Sequence, residues 1–208
     1  MAEIGIMGGT FDPIHNGHLV LGRQAYLEYG LDEVWFMPSG NPPHKKDHVV
    51  TAVEDRLAMV RLAMEGYPYF ICSDFEIRRQ GNTYTAETLK LLRKEYPQHR
   101  FYFIIGADSL YQLENWYHPR EVMEQAVLLV AGREYEQAHC PIEEQIACFE
   151  VRYGADIRLL HCEEMDISSG ELRVMGSQGK KLDRYVPKCV GNYIEEHQLY
   201  QKGKDNQA

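Results

Sequence analysis

The sequence lacks any long apolar run, and this absence excludes a protein anchored by membrane-spanning helices. No stretch of the 208 residues approaches the roughly 20 apolar residues that such a helix requires. The N-terminus also lacks the succession of basic, apolar and small residues that forms a secretory leader. We therefore expect a soluble, cytoplasmic protein with no membrane partner.

Basic charge is also scarce. The 22 Lys and Arg residues face 31 Asp and Glu residues, which gives a formal net charge of -9. Proteins that bind bulk nucleic acid normally carry a basic face, so we expect no nucleic-acid partner and only local binding of any anionic ligand. The five cysteines are scattered, odd in number and without a C-x-x-C pair, which predicts reduced thiols.

What the sequence does contain is a glycine-rich turn between a short strand and a helix. An apolar strand over Ile4 to Met7 leads into Gly8 and Gly9, where the backbone can turn sharply or approach a ligand closely. After Pro13 the apolar residues recur at helical spacing. Free N–H groups at a helix N-terminus attract anions, so the turn, here called the glycine loop (residues 8–14), predicts a phosphate site.

Two histidines follow the glycine loop. His15 and His18 lie three residues apart, so that in the first helical turn both imidazoles point the same way, toward the glycine loop. They then offer two donors, neutral or cationic, to one anion. The alternative of a metal site is weaker, because no cysteine or carboxylate lies at ligand spacing beside the pair and Asp12 precedes a proline.

The rest of the chain alternates predicted strands and helices. Strands are expected at Glu33–Met37, Tyr69–Ile77, Arg100–Ile105, Ala126–Val130 and Asp156–Leu160, and helices near Gly17–Tyr29, Val53–Glu65, Thr85–Glu95 and Pro141–Tyr153, with a last one from Pro187. This alternation predicts an α/β fold, a doubly wound, Rossmann-like parallel sheet with helices on both faces. We expect one domain over residues 1–201 and a disordered tail over residues 202–208.

In such sheets the ligand lies at the carboxyl ends of the strands, where the strand order reverses. A dinucleotide cofactor is the obvious alternative ligand, but the first turn reads G-x-x-G-G and lacks the G-x-G-x-x-G spacing. Among the strand-end residues, Asn41, His44 and Lys45 lie in a Gly- and Pro-rich loop and could contact phosphate, or could be plain solvated surface. The loops after strands therefore supply the candidate substrate contacts.

Three later positions have both a structural and a functional interpretation. Thr85 can cap a helix or donate to an anion, and Asp108, at the end of a buried strand, can bind ribose hydroxyls or cap the next helix. Trp116 can stack on a pyridine ring or pack in the core. Ser168 and Glu171 have the spacing of a capping box, which would place another helix N-terminus, followed by Arg173, near the site.

Together these segments resemble the bacterial nicotinate-nucleotide adenylyltransferases of the H-x-G-H nucleotidyltransferase superfamily, over nearly the whole chain. The matching blocks are Gly-Gly-Thr-Phe-Asp-Pro-x-His-x-Gly-His, Asn-Pro-Pro-His-Lys, Tyr84-Thr85 with Thr88-Leu89, Ile104-Ile105-Gly106-Ala107-Asp108, Trp116-Tyr117, Ile167-Ser168-Ser169 and Arg173. Other small adenylyltransferases share the first block. They are not expected to share the remaining blocks in this order, so the resemblance is specific.

The resemblance implies a reaction and a set of roles. The phosphate of nicotinate mononucleotide would attack the α-phosphorus of ATP in line, without a covalent enzyme intermediate, and Mg²⁺ would enter with ATP. It implies catalytic roles for His15, His18, Lys45 and Arg173, and ATP contacts from Gly8, Gly9, Thr10, Phe11, His15, His18, Gly106, Asp108, Ile167, Ser168, Ser169 and Arg173. It implies contacts to the acceptor from Asn41, His44, Lys45, Thr85, Ala107, Asp108, Trp116 and Tyr117.

The chain departs from the family pattern at a few positions. Gly170 replaces the usual Thr, Leu172 replaces the usual Ile, and Arg133 lies where Arg-Pro-Gly is common, which leaves the role of that loop open. Two other functions also stay open, an adenylyltransferase for nicotinamide mononucleotide or phosphopantetheine, and a nucleotide-binding sensor without turnover. Neither the strength of a preference for nicotinate over nicotinamide nor assembly into a homo-oligomer follows from the sequence.

Overall fold

The computed structural model describes residues 1–40, 50–79, 81–132, 140–162, 165 and 167–201. The strands in these residues are β1 (Glu3–Gly9), β2 (Glu33–Pro38), β3 (Phe70–Cys72), β4 (Arg100–Gly106), β5 (Val127–Ala131) and β6 (Ile157–Leu160). The helices are α1 (Asn16–Tyr29), α2 (Val53–Ala63), α3 (Thr85–Glu95), α4 (Ala107–Gln112), α5 (Pro119–Gln125), α6 (Ile142–Tyr153), α7 (Ser169–Ser177) and α8 (Lys188–Glu196). A short 3-10 turn, Leu113–Asn115, follows α4.

The six strands form one sheet in the order β3-β2-β1-β4-β5-β6, and every neighbouring pair is parallel. The order reverses between β1 and β4, since the chain first winds outward through β2 and β3 and then crosses back to the other side of β1. This arrangement confirms the predicted doubly wound, Rossmann-like α/β fold. The carboxyl ends of β1 and β4 therefore diverge into the crevice where such folds bind ligands.

Side chains on successive strand residues divide the core into two layers. Along β4, Tyr102 and Ile104 pack into one layer, with α1, α2, α7 and α8, while Phe101, Phe103 and Ile105 pack into the other, with α3 to α6. The period of two follows from the pleat of a strand, and burial of both faces explains why β4 is apolar from Phe101 to Ile105. Helices therefore cover both faces of the sheet, as the sequence predicts.

The third strand is shorter than predicted. The sequence predicts a strand over Tyr69–Ile77, whereas β3 pairs with β2 only over Phe70–Cys72, at the edge of the sheet. The residues after it form a turn in which the Arg78 N–H donates to the Asp74 carbonyl at 3.0 Å. β2 continues to Pro38, but after Cys72 the chain leaves β2 and enters this turn, so residues 73–77 do not extend the sheet.

Helix α5 is absent from the sequence-based prediction. It has seven residues, too few for a clear apolar period, and it begins at Pro119 directly after His118, which has a left-handed backbone (φ 50°). Two helix starts also differ in detail. Thr85 is the first residue of α3 and Tyr84 is its N-cap, so Thr85 does not cap the helix. Pro187 is the N-cap of α8, which begins one residue later than expected.

Two further findings concern the helices and the cysteines of the described ranges. Their helices include none with the length and apolar character that a membrane span needs. The five cysteines are free thiols in this structure.

Candidate active site

Two adjoining cavities open at the carboxyl edge of the sheet, where β1 and β4 diverge. The first cavity has a volume of about 550 Å³ and lies between the N-termini of α1, α4 and α7. The second cavity has a volume of about 220 Å³ and extends toward the N-terminus of α3. Gly8, Phe103 and Trp116 line both cavities, so the two spaces meet at the end of β1.

His15 and His18 line the first cavity together. His15 is the N-cap of α1, and its extended backbone (φ -142°) directs its N–H toward His18 Nδ1, which accepts it at 3.2 Å. The two ring centroids lie 3.7 Å apart. Since Nδ1 of His18 accepts a hydrogen bond, the proton of the neutral imidazole is on Nε2, and the ring can act as a donor. The structure thus brings the two predicted donors together.

The histidines differ in their electrostatic state. His15 is only 7 % exposed, and burial lowers the pKa of its imidazole from 6.5 to about 4. A cationic imidazole is poorly solvated in such a position, so His15 is neutral at pH 7. It can donate a hydrogen bond to a phosphate oxygen, but it does not supply the positive charge that the sequence analysis allowed.

The lowered pKa of His15 predicts a specific loss of stability in acid. Between pH 6.5 and 4 the unfolded chain binds a proton at this site and the folded chain does not, so the stability that His15 contributes is complete above pH 6.5 and falls by up to about 3 kcal/mol as the pH approaches 4. Denaturant unfolding from pH 4 to 7 measures this. The His15→Asn variant is expected to lose less stability over the same range. Equal pH slopes for the two proteins would contradict the burial of a neutral imidazole.

Two buried side chains of the glycine loop hold its backbone in place. Phe11 is 2 % exposed and has a left-handed backbone (φ 51°), and its ring packs edge-on against His18 with centroids 5.0 Å apart. Asp12 is fully buried and lies outside both cavities. These side chains fix the backbone of the loop and the orientation of His18, and they leave the glycines Gly8 and Gly9 to face the cavities.

Helix α7 places a second helix N-terminus at the first cavity. Ser168 is its N-cap, with the Glu171 N–H donating to Ser168 Oγ at 3.2 Å and the Ser168 N–H donating to Glu171 Oε2 at 2.9 Å, which confirms the predicted capping box. The Ser169 hydroxyl donates to the Pro13 carbonyl at 2.9 Å, and Arg173 Nη1 donates to the Asp12 carbonyl at 2.8 Å. The start of α7 is therefore bonded directly to the glycine loop.

The second cavity combines aromatic rings with buried polar groups. Trp116 packs edge-on against Phe103 with centroids 6.2 Å apart, and Tyr117 stacks on Tyr84 at 4.3 Å. Thr85, the first residue of α3, also lines this cavity, so one helix N-terminus faces it. A flat apolar wall beside free backbone donors suits an aromatic ring that carries an acidic substituent.

Glu76 is a cavity residue that the sequence analysis missed. It lines the second cavity, is 8 % exposed, and accepts a hydrogen bond from the Thr88 hydroxyl at 2.8 Å. Arg79 Nη1 in turn donates to Thr88 Oγ1 at 2.9 Å. Burial raises the pKa of the Glu76 carboxyl. Ser39, Thr83 and Thr88 also line this cavity. The sequence gives little signal for this role, because Glu76 lies in a mixed segment beside Asp74, Arg78 and Arg79.

Comparisons with known proteins fit this geometry. Residues 6–175 match the cytidylyltransferase-like family. A protein of Lachnoclostridium phytofermentans named "Probable nicotinate-nucleotide adenylyltransferase" is 42% identical over 200 residues, which cover 96% of this chain and 100% of that protein. This chain belongs to the nicotinate-nucleotide adenylyltransferase family. A Synechococcus sp. (strain JA-3-3Ab) relative with the same name is 40% identical and covers 95% of this chain and 94% of its own length.

Solved structures extend the likeness to the fold. A Plasmodium falciparum nicotinic acid mononucleotide adenylyltransferase complexed with NaAD matches with a TM-score of 0.79 at 21% identity, covering 96% of this chain and 98% of that one. The same enzyme complexed with APC matches with a TM-score of 0.77 over the same shares of the two chains. At this identity the likeness concerns the backbone alone, and it agrees with the doubly wound sheet of the family member described here.

Most of the candidate residues of this family member lie at one of the two cavities. The first cavity is lined by Gly8, His15, His18, Gly106, Asp108, Trp116, Ile167, Ser168 and Ser169, and the second by Gly8, Gly9, Thr10, Thr85, Trp116 and Tyr117. Phe11, Ala107 and Arg173 line neither cavity. Asn41, His44, Lys45 and Arg133 lie outside the described residues. The functional roles of all these residues stay predictions.

Asp108 and Ala107 follow directly from the end of β4. Gly106 is the N-cap of α4, so Ala107 and Asp108 lie in the first turn and Asp108 does not occupy the cap position. The Ala107 side chain is fully buried, which leaves its backbone as the part that could serve a ligand. Asp108 lines the first cavity beside Gly106, a position that suits hydrogen bonds to ribose hydroxyls.

Gly170, where the family usually has Thr, has room for a side chain. A Cβ atom built there would lie 3.8 Å from Ser168 Oγ and 3.9 Å from Arg173 Nη2, both ordinary contacts. We therefore expect Gly170→Ala to stabilise the fold by about 0.4–1 kcal/mol, since glycine is a poor helix former. Thermal unfolding measures this, and Gly170→Thr, compared with Ala, isolates the effect of a hydroxyl on nucleotide binding. A loss of stability in Gly170→Ala would contradict the open space seen here.

Proposed function

We propose that this protein transfers the AMP part of ATP to nicotinate mononucleotide, which gives nicotinate adenine dinucleotide and pyrophosphate in NAD biosynthesis. The observation that carries the proposal is the pair of cavities that meet at Gly8, Phe103 and Trp116. Such a transfer needs two nucleotides bound side by side with their phosphates adjacent. The glycine loop lies at that junction, because Gly8 belongs to both cavities and leads toward the N-terminus of α1.

In this proposal the first cavity takes ATP. The N-termini of α1 and α7 both face it, and the partial positive charge at each would attract the triphosphate. His15 and His18 would donate to phosphate oxygens, and Asp108 would hold ribose hydroxyls. Neutral His15 donates without adding charge, so we assign the positive charge to Arg173 and Lys45, and propose that Arg173 turns from the Asp12 carbonyl toward the bound phosphates.

The second cavity takes the acceptor. Trp116 would stack on the pyridine ring, and the N–H groups at the start of α3 and near Tyr117 would bind the nicotinate carboxylate. Asn41, His44 and Lys45, in the segment between β2 and α2, would complete this site. The phosphate of the acceptor is then the nucleophile, so no protein nucleophile is needed and catalysis consists of positioning and of charge stabilisation on the leaving pyrophosphate.

Mg²⁺ enters this proposal as part of the MgATP substrate. Within the described ranges no group of three or more His, Cys, Asp or Glu side chains is placed to hold a metal ion. Among the described residues, the first cavity is lined by hydrogen-bond donors and by one carboxylate, Asp108, a set that suits an ion carried mainly by phosphate oxygens and water. The ion would neutralise phosphate charge, while the protein groups orient the two nucleotides.

Pyrophosphate release tests the proposal. Purified protein is supplied with ATP and Mg²⁺, and nicotinate mononucleotide, nicotinamide mononucleotide and phosphopantetheine are offered separately. Release that is strongest with the nicotinate form is expected. Stronger release with another acceptor would change the substrate, and no release from folded protein that still binds ATP would favour a nucleotide sensor.

A further inference from the structure

A tyrosine near the end of the described chain reaches the glycine loop from outside both cavities. Tyr200 follows α8, and its hydroxyl donates a hydrogen bond to Asp12 Oδ1 at 2.8 Å, across 188 positions of sequence. Asp12 is 0 % exposed and belongs to the loop that separates β1 from α1. Tyr200 has a left-handed backbone (φ 64°), and it approaches α7 so closely that a Cβ at Gly176 would lie 3.0 Å from the Tyr200 Cβ.

Asp12 joins the glycine loop to three other segments. Its carboxylate accepts from Tyr200 through Oδ1 and from the Thr51 N–H through Oδ2 at 3.2 Å, and its carbonyl accepts from Arg173 Nη1 at 2.8 Å. In the sequence, Thr51 follows the segment that contains Lys45, which is predicted to contact phosphate. Asp12 therefore links the glycine loop to Thr51 and to the C-terminal segment through its carboxylate, and to α7 through its carbonyl.

The surroundings of this hydrogen bond keep Tyr200 as its donor. The neighbouring Arg56 guanidinium is also buried, and it donates to the Thr10 carbonyl at 2.8 Å and to the Thr51 carbonyl at 3.0 Å. Burial beside the Asp12 carboxylate raises the pKa of the Tyr200 phenol, so the hydroxyl stays protonated and remains a donor at every pH at which the protein is folded. The Tyr200 hydroxyl is therefore a constant donor to the glycine loop.

We propose that Tyr200 is a positioning residue for ATP, which acts through Asp12 to hold the glycine loop and the first turn of α1 in the geometry that binds the triphosphate. The inference rests on the ATP site proposed above and extends it to a residue that touches neither cavity. Loss of the hydroxyl removes the donor to Asp12 Oδ1, and an unsatisfied buried carboxylate oxygen favours a shift of Asp12 and of the loop that contains it. Gly8, Gly9 and His15 belong to the same short segment and would move with it.

The chain supplies a matched control in Tyr193. Its hydroxyl also donates to a carboxylate, Asp55 Oδ1, at 2.8 Å, and it also ties the C-terminal part of the chain to the body of the fold. This bond joins α8 to α2 and does not involve the glycine loop. Tyr193 lines neither cavity. Tyr193→Phe and Tyr200→Phe therefore remove the same chemical group from a bond to a carboxylate, which is partly exposed at Asp55 and fully buried at Asp12.

Binding of MgATP measured by calorimetry, together with steady-state kinetics, tests the role. Tyr200→Phe is expected to raise the Kd and KM for MgATP roughly tenfold, with the KM for the acceptor changed less than twofold. Tyr193→Phe is expected to keep both values within twofold of the wild type. Equal nucleotide affinities for the two variants would overturn the proposal. A wild-type protein that binds MgATP without turnover would refute the proposed function. The MgATP affinities of the two variants would still test the role of Tyr200, because binding is measured directly.

A double-mutant cycle shows whether Tyr200 acts through Asp12. Asp12→Ala removes the carboxylate that accepts from Tyr200, so it also tests the contact if Tyr200→Phe does not fold. We expect Asp12→Ala alone to weaken MgATP binding, and Tyr200→Phe to add less than twofold in the Asp12→Ala background. Independent, additive effects of the two substitutions would contradict the positioning role.

Discussion

Replacing His18 with alanine is expected to lower turnover by about a hundredfold or more, with the fold retained. His18 lines the first cavity, and its Nδ1 accepts the His15 N–H at 3.2 Å, which leaves the proton on Nε2. That N–H is a preorganised donor for charge that develops on the phosphates as pyrophosphate leaves. An effect of this size is typical for the loss of one donor that stabilises a transition state.

The same substitution also removes an acceptor at the start of α1, so stability has to be separated from catalysis. His18→Asn retains an oxygen that can accept the His15 N–H, but its shorter side chain does not extend to the position of Nε2. We expect both variants to lose turnover and only the alanine variant to lose about 1 kcal/mol of stability. Single-turnover rates and thermal unfolding measure the two effects. Normal turnover in His18→Asn would contradict the donor role and would mean that His18 acts only by accepting the His15 N–H at the start of α1.

The fold was largely predictable because its signals are local and repeated. Each strand near the middle of the sheet is a short apolar run, and β4 packs its alternate residues into two core layers, so that burial alone identifies it. The errors lie where the local signal is weak. β3 is short because the chain enters a turn after Cys72, and α5 is too short to show a period.

The cavity-lining positions of several candidate residues were predictable for a related reason. Gly8, His15, Thr85 and Asp108 all lie at strand ends or helix starts, and a doubly wound sheet brings those positions to one edge. The buried contacts that hold these residues in place were not predictable. The bond between Tyr200 and Asp12 spans 188 positions, and neither residue type indicates the other, so only the folded backbone brings them together.

The electrostatics of the site also depended on the fold. Sequence spacing allows His15 to be neutral or cationic, and only its burial in the structure decides for the neutral form. Glu76 shows the same limit, since its carboxyl is enclosed by Thr88 on α3 and by the second cavity. Desolvation depends on every neighbouring element, and a sequence pattern reports only the nearest residues.

Replacing Arg56 with methionine is expected to destabilise the fold by about 3–5 kcal/mol. Arg56 is 2 % exposed, and its guanidinium donates to the Thr10 and Thr51 carbonyls. Burial lowers the pKa of this guanidinium, and the nearby Asp12 carboxylate opposes that shift. Methionine fills much of the same volume without any donor, so the substitution leaves two carbonyls and a buried carboxylate without their positive partner.

Denaturant unfolding at pH 7 measures this effect, and Arg120 provides the control. Arg120 lies on the surface, where it pairs with Glu124 at 2.9 Å with a side chain 71% exposed, so Arg120→Met is expected to cost less than about 1 kcal/mol. A similarly small loss in Arg56→Met would mean that Asp12 does not depend on this charge. A large loss that MgATP cannot offset would indicate, in addition, that the glycine loop is no longer formed, because a ligand stabilises the folded chain only where its site persists.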